Sequence, residues 1–143
     1  MRRRLRGETG SATLELVVWG PVLLLIASVI VLAGRVAQAS QTVEVAAAEA
    51  ARAASAAGTQ PQARDRAADA AAAALSSAGL RCATTSVAVD TSQWVRPAGT
   101  PGRVTATVRC LVEFGDLSIP VIPGSKTVTG QGSSSLDTYR TRP

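Results

Sequence analysis

Gly10–Gly34 reads GSATLELVVWGPVLLLIASVIVLAG, and its last nineteen residues, Leu16 to Gly34, carry no charge. At about 1.5 Å per residue, a helix of that length crosses most of a ~30 Å hydrocarbon layer, so the chain is expected to enter a membrane at some stage. Arg2, Arg3, Arg4 and Arg6 precede the run. Positive charge is retained on the cytoplasmic side during insertion, which predicts an N-terminus inside and everything after Arg35 outside.

Glu15 stands at the lip of the apolar run. A carboxylate drawn toward the bilayer centre is unfavourable by up to ~3 kcal/mol, and less at the edge, so it calls for a partner. In the intact chain the arginine cluster is the nearest source of positive charge, nine or more residues upstream. Cleavage after Gly10 would give Ser11 a free α-amino group, and on a helix that amine and Glu15 stand at i and i+4, on one face.

A short basic leader, a glycine, and a carboxylate five residues later at the start of an apolar helix together resemble the processing site of type IV prepilins and pseudopilins. GSATLEL followed by Pro21 within the apolar run is most similar to the TadE-like minor pseudopilins of the tight-adherence (Flp) pilus system. The resemblance is tight over about the first 35 residues. Leu16 stands where an aromatic residue often follows the glutamate. The resemblance implies that a prepilin peptidase cuts between Gly10 and Ser11, that the new N-terminus is often methylated, and that Glu15 aligns the subunit with a neighbour. It also implies a pilin-like α+β fold and, as partners, other pilin or pseudopilin subunits and the Tad pilus assembly machinery. The N-terminal helix would carry the homo- or hetero-oligomeric contacts.

The chain has 143 residues, room for one small domain beside the membrane element. Alanine inflates its 46% hydrophobic content and aromatics make up 3%, so its core is expected to be thin. Net charge is +5, but four of fifteen basic residues lie in the leader, and after Gly34 eleven bases face eight acids. The remaining +3 is dispersed, with almost no aromatics for base stacking, so nucleic acid is not an expected partner. There is no histidine, the carboxylates are scattered singly, and the two cysteines alone do not complete a zinc site. Neither catalysis nor a metal or other cofactor is expected.

Cys82 and Cys110 both follow the span and so face an oxidising compartment in the expected orientation. They read as one disulfide, which in the chain-entropy model contributes ~3 kcal/mol; two separate buried thiols are the alternative.

In order, the expected segments are a leader at 1–10, a transmembrane helix at 11–34, its extracytoplasmic continuation at 35–57, and a small α+β domain at 58–143. Pro21 should bend the span, and Trp19 suits a membrane interface. The continuation carries a heptad-like stripe of Val36, Ala39, Val43, Ala46, Ala50, Ala53 and Ala57, small enough for close packing against copies of itself or against its own strands. Gly58 and Pro61 stop it, and Gly58–Gln62 reads as a turn. Ala63–Ala78 is a second, Ala-rich helix ended by Gly79. Cys82–Asp90 and Arg103–Phe114 read as strands with alternating Val and Thr, and Trp94–Gly102 as a loop between them. The apolar positions of the first strand are odd (Val87, Val89) and those of the second even (Val104, Val108, Val112), whereas both cysteines are even. Either a β-bulge or a disulfide between residues that are not direct cross-strand neighbours would reconcile them. Leu117–Pro123 is proline-broken and reads as an edge or loop. Lys126–Gly130 and Ser133–Tyr139 read as one or two last strands interrupted by Gly130 and Gly132.

Two other functions compete with the pilus component. One is a secreted binding module with an ordinary signal peptide, for which Ala37–Gln38–Ala39 offers an A-x-A site before Ser40. The other is a surface domain on an uncleaved anchor, in which Glu15 is simply a helix-start carboxylate favoured by the dipole.

Overall fold

The computed structural model describes residues 9–97, 99–113, 115 and 124–137, with side chains from Val17 onward. The expected edge or loop at Leu117–Pro123 and the terminal Tyr139, Arg142 and Pro143 lie outside the described residues. The fold is α+β: a long N-terminal helix, a second helix and a three-stranded antiparallel sheet. The chain divides into two compact units, Met1–Val36 and Ala37–Pro143.

Helix α1, Thr9–Ser55, runs without interruption through Pro21. In the first unit its apolar side chains are exposed all round, from Val17 to Val31. The hydroxyl of Ser28 donates to the Leu24 carbonyl at 2.7 Å. A polar group satisfied by its own helix is compatible with an apolar surrounding.

In the second unit, α1 contributes residues 37–55. Its last turn tightens, the Ala57 N–H reaching the Ala54 carbonyl at 3.1 Å. The stop therefore falls at Ser55, before Gly58, and Gly58 is not among the glycines with positive φ. Helix α2 spans Gln60–Ser77. Thr59 caps it by accepting the Gln62 N–H at 3.4 Å, and Pro61 sits in its first turn. The expected turn at Gly58–Gln62 is thus shorter, because proline suits a first helical turn, where its missing N–H has no carbonyl to reach. At the far end, Gly79 adopts φ 69°. The Leu80 N–H bonds the Leu75 carbonyl and the Gly79 N–H bonds that of Ser76, both at 3.0 Å, which closes the helix with a Schellman motif.

Strands β1 (Thr84–Asp90), β2 (Gly102–Glu113) and β3 (Ser125–Leu136) form a meander in the order β1-β2-β3. The register of β1 on β2 runs unbroken from Thr84 opposite Leu111 to Asp90 opposite Thr105. Odd residues of β1 therefore share a face with even residues of β2, as the apolar pattern requires, and no bulge is present. Between these strands, Ser92–Val95 forms a 3-10 turn that buries Trp94 at 3% exposure, where the sequence reading placed a loop from Trp94 onward. The turn is pinned by Asp90 Oδ1, which accepts the Ser92 N–H at 2.9 Å, and by Gln93 Oε1, which accepts the Arg103 N–H at 2.9 Å.

The last strand corrects the sequence reading most. It is one strand, paired without interruption from Glu113 opposite Ser125 to Gly102 opposite Leu136. Gly130 and Gly132 do not break it; they let α1 sit directly on it. A Cβ on Gly130 would lie 2.5 Å from the Val43 carbonyl oxygen, and one on Gly132 would strike the backbone of Ala47 and Ala48.

The core lies between the helices and one sheet face. Val43, Val104, Val108 and Val112 are its largest fully buried apolar side chains besides Cys110. Burial of such side chains contributes about 1.5–3 kcal/mol each. Alanines of α1 and the α2 ridge Ala63, Ala67, Ala71 and Leu75 complete it. The stripe on α1 follows the 3.6-residue period: Ala47, Ala51 and Ala54 are buried, while Ala53 and Val36 are only half-buried.

Candidate functional site

Gly10, Ser11 and Glu15 all lie within α1, close to its N-terminal end, with Ser11 and Glu15 one helical turn apart. Their side chains precede those described. Immediately after them comes an apolar surface on which Val17 is 66% exposed and Leu24 70%. Among the described residues, α1 is the one helix long and apolar enough to cross a membrane, and none of its most apolar window is buried within the chain. Arg35 follows on an exposed turn. The N-terminal unit therefore joins Gly10, Ser11 and Glu15 to an apolar cylinder that the described residues leave uncovered.

The second unit joins the two cysteines. Cys82 and Cys110 form a disulfide with Cα atoms 5.3 Å apart. Cys82 precedes β1, and the cross-strand partner of Cys110 is Thr85, so the bridge links residues that are not direct neighbours. This resolves the parity conflict in the sequence. It ties the link that follows α2 to the central strand.

The sheet face away from the helices presents Thr84, Ser86, Thr107, Arg109 and Thr129 among others. A shallow groove between α1 and α2 is lined by Gln41, Val45 and Glu49 on one side and by Ala70, Ala74 and Ser77 on the other. Glu49 pairs with Arg52 at 3.1 Å, an exposed contact of small energetic weight. Among the described residues, no three histidine, cysteine or acidic side chains converge as a metal site would require. The Asp90 carboxyl is held below its ordinary pKa by the Ser92 backbone N–H and then by the Ser92 side chain, which makes it a turn fastener. Trp94 is a core residue that sequence alone assigns to a loop, because the prolines and glycines after it read as continuous loop.

Residues 10–52 match the family of TadE-like proteins. The match begins at the proposed cleavage glycine, covers the whole apolar run, and ends within the part of α1 that packs on the sheet. It leaves the second helix and the strands outside. No curated protein and no solved structure matches the chain. The TadE-like segment and the membrane-capable helix together fit a protein associated with the Tad pilus.

Proposed function

We propose that the protein is a TadE-like minor pseudopilin, made as a membrane-inserted precursor, cut by prepilin peptidase between Gly10 and Ser11, and used in assembly of a Tad-type pilus or related secretion filament. The observation that carries this reading is the family match that begins at Gly10 on a helix whose apolar side chains are exposed all round. Such a helix needs lipid while the subunit is in the membrane and neighbouring helices once it is in a filament. In the exchange, Glu15 leaves the bilayer edge for a low-dielectric helix bundle, where a carboxylate requires a cation. The α-amine of an adjacent subunit's Ser11 supplies it. The N-terminus of the precursor is cytoplasmic and residues after Arg35 are outside, as the leader arginines favour.

The signal-peptide alternative fits the structure less well. Ala39 is 4% exposed and lies sixteen residues before the end of an unbroken helix. A cut after it would remove a buried side chain together with all of α1 before Ser40.

Glu15→Leu tests the role of the carboxylate in cells that assemble the filament. The variant should be trimmed normally but recovered in sheared filaments several-fold less than wild type. Equal recovery would exclude Glu15 from subunit alignment.

A further inference from the structure

The disulfide has two very unequal ends. Cys110 is fully buried on the core face of β2, between Val108 and Val112, with 0% exposure. Cys82 is half-buried in the link between α2 and β1, at the rim of that core. Their neighbours differ too. Arg81, next to Cys82 in sequence, is exposed and puts positive charge on the approach to it, which favours encounter with an anionic disulfide. Arg109, beside Cys110, belongs to the opposite face of the sheet, because successive strand residues alternate. Chain order adds a third asymmetry: with the C-terminal part exported, Cys82 crosses the membrane before Cys110, which follows 28 residues later.

We infer that Cys82 is the entry thiol through which an extracytoplasmic protein disulfide oxidant loads this chain, and that Cys110 is the resolving thiol. The Cys82 thiolate attacks the oxidant's disulfide, forming a mixed disulfide and releasing one oxidant sulfur as a thiolate. The Cys110 thiolate then attacks the Cys82 sulfur and displaces the second oxidant sulfur. Two protein thiols lose two electrons, the oxidant's disulfide becomes a dithiol, and the two protein protons end on the oxidant's sulfurs. The inference goes beyond the pilus reading and needs only that residues 37–143 reach an oxidising compartment.

The test uses the full chain in detergent micelles, reduced, freed of reductant and mixed with glutathione disulfide. Samples are quenched by alkylation at successive times, and the adduct is located by peptide mass. In the wild type, the transient glutathione adduct should fall on Cys82, at least about tenfold more often than on Cys110. Cys110→Ser should hold that adduct indefinitely, and Arg81→Glu should slow its formation several-fold while leaving the circular dichroism spectrum unchanged. An adduct found first on Cys110, or equally on both, overturns the assignment, as does an Arg81→Glu rate equal to wild type. The wild-type time course decides even if Cys110→Ser fails to fold, and none of these readouts depends on cleavage after Gly10.

Discussion

Among the described glycines, Gly130 and Gly132 meet the nearest backbone, and sequence alone suggests the opposite role for them. A glycine inside a Thr/Ser strand reads as an interruption, since it weakens a strand and packs nothing. The second meaning of a strand glycine, close approach by another backbone, becomes visible only when Val43 and Ala47 are found above it. Gly132→Ala should therefore destabilise the folded domain by about 1–3 kcal/mol in denaturant titration, an overpacking cost. Gly58→Ala, with its nearest neighbour 3.5 Å away, should change stability by less than about 0.5 kcal/mol. Asp90 makes a pH-dependent prediction. Its folded pKa is lowered, so the stabilisation from its bond to Ser92 is present above the ordinary carboxylate range and lost as pH falls through the folded pKa. The stability gap between wild type and Asp90→Asn should accordingly shrink as acid is added below about pH 4. A gap that widens on acidification would contradict the assignment.

At the level of elements, alanine made both helices legible, as did the apolar run of the first. Which alanines face inward was harder to read. A heptad-like stripe suggests a seam between copies, whereas the buried set Val43, Ala46, Ala47, Ala50, Ala51 and Ala54 follows the wider face of a helix lying on a sheet. Alanine's side chain is too small for its pattern to separate the two. The chain's own strands occupy this face, so Ala47→Leu should lower domain stability by about 1–3 kcal/mol. The equivalent change at the exposed Ala56 should be nearly silent. The β1–β2 pair was legible in its alternation, and its odd and even faces match the observed register. The cysteines seemed to contradict that register only because Cys82 lies outside the strand.

For the molecule as a whole, two units divide the work. The second unit achieves a core with few aromatics by bringing backbones close together and by one covalent tie; Trp94 is the aromatic side chain buried among the described residues. Reducing the disulfide should lower its stability by about 3–4 kcal/mol, the chain-entropy value for a loop of this length, and a far smaller change would mean that packing alone holds the link. The first unit offers an apolar helix that the described residues do not cover, headed by Gly10, Ser11 and Glu15. The central claim is that proteolysis at that head creates the positive charge its carboxylate needs. Intact mass of the protein recovered from cells carrying the matching peptidase tests this most directly. The mature chain should begin at Ser11, and Gly10→Ala should yield only full-length protein. Recovery of the wild type only as full-length chain, or as a chain beginning at Ser40, would contradict it.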